Sequence, residues 1–194
     1  MANANAPFGL RPVRNLRTGT SLVNIATYFV PASDGTALYM GDVVKLGGTA
    51  DARGSHATVT RASAGDTVLL GAVVGIDQVK DVSAINLRQN YRPASTAMYV
   101  LVCDDPDAVY HVQEDSVGGA LAITNVGECA DIVVAAGSTV TGKSGTMLDS
   151  STSSASTANL RILGLADKPD NVIGDYAVFE VIINEHVFKG TAGV

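Results

Sequence analysis

Val68-Leu69-Leu70-Gly71-Ala72-Val73-Val74-Gly75-Ile76 is apolar at almost every position. A strand points successive side chains to opposite faces, so an unbroken apolar run of this length describes a strand covered on both sides. Val109-Tyr110-His111-Val112-Gln113 reads differently, with Tyr110 and Val112 alternating against Val109, His111 and Gln113 in a half-buried pattern. One sheet architecture with interior and outer strands accommodates both.

Working outward, runs of strand character recur at Leu22 to Val30, Val43 to Leu46, Thr58 to Arg61, Met98 to Cys103, Asp131 to Val134, Leu160 to Gly164 and Tyr176 to Ile183. Between them stand turn formers such as Ser33-Asp34-Gly35, Gly47-Gly48, Ala64-Gly65-Asp66, Asp104-Asp105-Pro106-Asp107 and Asp167-Lys168-Pro169-Asp170. With 25 valines, 16 threonines, 20 glycines and no tryptophan, the chain favours strands and tight turns over long helices. The expectation is an all-β single domain, jelly-roll or β-barrel-like, with one short helix between Ser116 and Asn125. Val117, Ala120, Leu121 and Ile123 suggest that helix, and Asp115 or Ser116 would cap it, although Gly118 and Gly119 count against it.

Two segments have no packed reading. Residues 1–20 hold two prolines and three arginines without one acid, which predicts an extended N-terminal arm in front of a β-rich core over residues 21–194. Asp149 to Asn159 is polar and of low complexity, which predicts an exposed Ser/Thr-rich loop.

The chain's 194 residues suit one domain, and 46% hydrophobic against 16% charged residues excludes a disordered tail. No apolar run approaches a membrane span and residues 1–9 lack a secretory pattern, so a soluble, unexported chain with no membrane partner is expected. The net charge of −6 argues against nucleic acid as a partner. Charge is unevenly placed: residues 1–97 carry nine Lys/Arg against six Asp/Glu, whereas residues 98–194 carry four against thirteen.

A search for chemistry finds no catalytic constellation. Cys103 and Cys129 have no metal-binding spacing and read as small buried hydrophobes. His56, His111 and His186 stand far apart, and His111 reads as a strand-face polar residue rather than a general base. Asp104-Asp105-Pro106-Asp107 lacks calcium-loop spacing and suits a turn. Gly71 and Gly75 are not a dinucleotide loop; glycines in a strand permit close backbone approach. No enzyme activity, metal or cofactor is therefore expected. The arm is the candidate site: Phe8, Arg11, Arg14 and Arg17 suit docking onto an acidic partner surface, the arginines through paired hydrogen bonds and Phe8 through burial.

The opening Met1-Ala2-Asn3-Ala4-Asn5-Ala6-Pro7-Phe8-Gly9-Leu10-Arg11-Pro12-Val13-Arg14 resembles the start of head cement, or capsid decoration, proteins of tailed, particularly short-tailed, bacteriophages. The likeness continues at Tyr91 to Thr96, at Asp104 to Asp107 with Val112 to Asp115, at Asp170-Asn171 with Gly174, and at Val181 to His186. It implies a β-rich accessory protein, made in the host cytoplasm and placed on the outer capsid surface of the virion, that clamps neighbouring major capsid proteins. It also implies a homodimer or higher homo-oligomer, and the scarcity of edge-guarding lysines, five in all, points the same way. Similar proteins carry an acid where this chain has His111. A head-completion or tail structural protein is the alternative within the virion. A phage carbohydrate-binding β domain is another, disfavoured by ten aromatic residues and no Trp.

Overall fold

The computed structural model describes residues 3–77 and 89–190. The ends of the expected arm and core, residues 1–2 and 191–194, lie outside the described residues. Among the described residues fourteen strands follow in order: β1 (Arg11–Asn15), β2 (Ile25–Val30), β3 (Leu38–Tyr39), β4 (Val43–Ala50), β5 (Ala57–Arg61), β6 (Gly71–Asp77), β7 (Tyr91–Arg92), β8 (Met98–Cys103), β9 (Ala108–Gln113), β10 (Cys129–Ala130), β11 (Ile132–Val133), β12 (Met147–Leu148), β13 (Leu160–Leu165) and β14 (Val178–Ile183). Strands β2-β5-β4-β6-β8 close into a barrel, and β1-β9-β14-β13-β10 form a five-stranded antiparallel sheet. The barrel closes where β2 meets β5 in parallel at Phe29 and Thr58. The pairs β3-β7 and β11-β12 make two short ribbons.

The apolar run that decides the fold is shared between two cores. Val44, Leu70, Val73, Val100 and Val102 pack with Tyr28, Val30 and Val59 in one cluster. Their strand neighbours Val43, Leu69, Ala72 and Cys103 turn the other way and pack against Tyr110, Val112, Phe179 and Val181 of the sheet. The β4-β6-β8 wall is thus buried on both faces, as the unbroken apolar pattern requires. At Gly71 a Cβ would lie 1.9 Å from the Cys103 carbonyl oxygen, so β6 and β8 approach there as only glycine allows. Gly75 marks the irregularity in the same ladder. Cys103 and Cys129 are buried free thiols.

Three expectations are corrected. The segment Ser116–Asn125 is not a helix beyond a single 3-10 turn at Ile123–Asn125. Ser116, Gly118 and Gly119 have φ of 59°, 81° and 122°, which breaks a right-handed helix at its start, and Asp115 accepts from the Val117 N–H as a turn instead. The Ser/Thr-rich loop is only partly exposed: Ser150, Ala158 and Asn159 are buried. Its hydroxyls serve internal bonds, Ser150 Oγ donating to Asp115 (2.9 Å), Ser153 Oγ to Glu128 (2.6 Å) and Thr152 Oγ1 accepting from the Asp131 N–H (2.9 Å).

The third correction concerns the arm. Residues 11–15 form β1, the outer strand of the five-stranded sheet, in register with β9 through Arg11 to His111 and Arg14 to Val109. Pro12 is tolerated because β1 has a neighbour on one side only, beside a register irregularity between Pro12 and Arg14. Leu10 is fully buried, and its N–H donates to the Gly41 carbonyl at 2.9 Å. Gly9, at φ +74°, lies so close to Gly41 that a Cβ would sit 2.2 Å from its oxygen. Further out, Gln113 bonds the backbone at Ala4 and Ala6, and Asn3 donates to the carbonyls of Val172 and Asp175. The N-terminal segment is part of the body.

Candidate functional site

The four residues singled out from sequence are divided by the fold. Arg14 and Arg17 find carboxylates of their own chain, Glu180 and Asp107, each at 2.7 Å. These acids lie 166 and 90 positions away in the chain, so no local pattern announces them. Burial resists ionisation of Glu180, but hydrogen bonds from Arg14 and His111 outweigh it and hold the carboxyl below its usual range. Phe8 and Arg11 go elsewhere, into the wall of a groove.

That groove has a volume of about 480 Å³. Phe8, Leu10, Pro12, Met40, Val73 and Val74 give it an apolar lining, and Arg11, Lys143 and Lys168 add three cations. Lys168, on the β13–β14 connection, places Nζ 5.2 Å from the centroid of the half-buried Phe8 ring, a cation–π contact. Lys143 is held by main-chain bonds between its segment and Met40: Met40 N–H donates to Gly142 and Ser144 N–H to Met40, both at 2.9 Å. Beneath them the buried Asp42 accepts from Ser144 Oγ at 2.5 Å and from the Tyr39 N–H at 2.8 Å. Burial raises the Asp42 pKa, against these bonds.

The field in this region is positive. Burial lowers the Lys168 pKa, and the Arg11 charge adds to the effect. His111 is likewise lowered, by burial first and then by Lys168, against its contact with Glu180 at 3.4 Å. Sequence reading missed Lys143 and Lys168 because each is an isolated lysine in a loop. Only the Met40 to Lys143 pairing and the packing of the β13–β14 connection bring them to Phe8.

The other polar clusters are tied up internally. Asp105 accepts from Asn15 Nδ2 and from the Asn24 and Asp107 N–H groups, and Tyr28 OH donates to Asp104. The acidic turn is therefore a joint between β8, β9 and the β1–β2 connection. Among the described residues no group of three His, Cys, Asp or Glu side chains is arranged to hold a metal ion. Ser55, His56 and Asp51 come together, yet Ser55 Oγ and Asp51 Oδ2 both meet the same ring nitrogen, Nδ1, at 2.9 Å. A relay sets the nucleophile and the acid on opposite nitrogens of the ring, and here both sit on Nδ1, so this cluster is a structural knot. Asp51 ionises well below the usual range: burial opposes this, and bonds from His56 and Ser55 overcome it.

Arg92, fully buried, donates to the carbonyls of Thr96, Thr36 and Pro31 at 2.7, 2.6 and 2.8 Å. It ties together the loops beside the β3-β7 ribbon, which gives the Tyr91 to Thr96 motif a structural role. No protein-family model matches the chain, and no curated protein or solved structure does either.

Proposed function

We propose that this chain is a structural protein of a tailed-phage virion that binds the outer capsid surface and cements neighbouring copies of the major capsid protein. The observation that carries this reading is the placement of apolar surface. Leu16, Leu22 and Ile25 are exposed on and beside the β1–β2 connection, Val117, Ile123 and Val126 on the stretch after β9, and Val172 and Ile173 on the β13–β14 connection. Several connections thus present two or three large apolar side chains each, on a body whose Asp51, Asp66, Asp105 and Glu180 carboxylates are bonded within the chain. Such surfaces suit contact with another protein. The resemblance of the N-terminal and Tyr91 to Thr96 motifs to cement proteins supplies the identity of that protein.

On this reading the chain carries out no catalytic step and holds no cofactor or metal. Its work is energetic. An interface of roughly 1,200–2,000 Å² with each of two capsomers makes the second contact intramolecular, and binding to the assembled shell alone stabilises that shell by mass action. The test is to add the purified chain to undecorated, expanded shells and image them. Hundreds of copies per particle, with a higher rupture temperature, are expected. A dozen copies or fewer, the stoichiometry of a cyclic vertex or tail ring, or no binding at all, overturns the reading.

A further inference from the structure

Arg11, Lys143 and Lys168 come from three distant parts of the chain and line one apolar groove. Among the described residues none of the three forms an ion pair, whereas Arg14, Arg17 and Lys45 each meet a carboxylate within 2.6–2.7 Å. In a chain of net charge −6, three cations gathered on one cavity without an acid are an unmet demand for negative charge. Burial and the Arg11 charge both push the Lys168 pKa down, so an arriving anion relieves a repulsion already present.

The lining restricts what that anion belongs to. An inorganic anion would leave Phe8, Leu10, Met40, Val73 and Val74 uncovered. A nucleic-acid strand stacks its bases on successive aromatics, and Phe8 is the one aromatic in the lining, with Lys168 already against its ring. The volume of about 480 Å³ admits an apolar side chain with polar neighbours. Arg11 can engage a carboxylate through two parallel hydrogen bonds.

We propose that this groove receives an acidic peptide segment of a neighbouring protein in the assembly, in which an apolar side chain is flanked by carboxylates. The proposal rests on the interaction-protein reading above and names the chemistry of one of its contacts. The pre-formed floor, fixed by Leu10 against Gly41 and by Asp42 beneath, keeps the ordering cost of binding low.

The test titrates the isotope-labelled full chain with the capped peptide Asp-Leu-Glu-Glu-Leu-Asp and follows the methyl groups of Leu10, Met40, Val73 and Val74 by NMR. Saturable shifts are expected. Binding should be at least tenfold weaker for Asn-Leu-Gln-Gln-Leu-Asn, for Asp-Ser-Glu-Glu-Ser-Asp, and for the Arg11→Glu/Lys168→Glu double variant. Both substituted side chains lie at the groove surface, so the remaining resonances should stay in place and report an intact fold. Equal binding of the neutral peptide overturns the proposal. So does equal saturation by inorganic phosphate, which would make the groove a site for an adventitious ion only. Concentration-dependent shifts without peptide would put a second copy in the groove and also overturn it. If wild-type and double variant cover shells equally, the groove proposal fails and cementing stands; if wild-type fails to cover shells, cementing fails whatever the peptide does.

Discussion

His186 sets a pH limit on this fold. The side chain is 2% exposed, its Nδ1 accepts from the Phe188 N–H at 3.1 Å, and its Nε2 is buried without a partner. Burial, and then the Lys189 charge, push its pKa down from 6.5 to about 4, against the pull of Asp105, the Leu70 backbone and Asp107. The unfolded chain therefore takes up this proton before the folded one does, and stability falls as pH drops from 6.5 towards 4. At about 1.4 kcal/mol per pH unit the whole effect is roughly 3 kcal/mol, of which roughly 2 kcal/mol is gone by pH 5. His186→Asn removes the titration while its amide oxygen replaces Nδ1 as acceptor. Urea unfolding at pH 7.5 and pH 5 should show the wild type losing roughly 2 kcal/mol more than the variant between the two conditions. The lowered His111, with the same sign, and the raised Asp42, with the opposite sign, are common to both proteins and cancel. Equal losses in both proteins refute the reasoning. An independent check on the wild type is the His186 ring resonance, whose midpoint should fall near 4; a midpoint above 6 refutes it too.

Arg92→Met should cost about 3 kcal/mol or more in urea unfolding, because three carbonyls, all bonded to one fully buried guanidinium, lose their donor together; a loss below about 1 kcal/mol would show that the arginine is dispensable. Gly9→Ala forces a side chain against Gly41 at φ +74°, a strain of roughly 2–3 kcal/mol. It should speed hydrogen exchange at Leu10 while leaving Val73 and Val102 protected, and unchanged exchange at Leu10 would contradict the close approach. Arg14→Ala should destabilise by about 0.5–1 kcal/mol and Arg17→Ala by about 0–0.5 kcal/mol, the Arg14 effect shrinking as salt is raised. The order follows from side-chain exposures of 35% and 80%, and a reversed order would count against it.

How far the fold could be read in advance depended on how local its cause is. The two-faced wall was legible because alternation and its absence are properties of consecutive residues, and within the run Leu69 to Val73 is buried on both faces, while Val68 at its start is exposed. The N-terminal segment was not legible. Its charges looked unmet because their acids lie in β14 and the β8–β9 turn, and its prolines looked prohibitive because nothing local says that β1 is an outer strand. The Ser/Thr-rich loop misled for a related reason: composition predicts solvation, but Ser150 and Ser153 spend their hydroxyls on Asp115 and Glu128. Of the candidate site, Phe8 and Arg11 were visible as an aromatic and a cation in one short segment. Lys143 and Lys168 join them through packing alone.

The order of the outer sheet has a mechanical consequence. β1 is antiparallel to β9, and β9 to β14, so β1 and β14 run in the same direction with one strand between them. Tension applied through the residue before β1 and the residue after β14 pulls these strands lengthwise past β9. Their inter-strand bonds then bear load simultaneously, in shear, instead of opening one after another like a zip. Arg14 reaches from β1 over β9 to Glu180 on β14 and braces the same three strands crosswise. The sheet's inner face is also joined to the barrel wall through Tyr110, Phe179 and Cys103, so slippage of any strand must drag a second closed structure with it. A molecule strung this way yields as one piece at high force and does not peel.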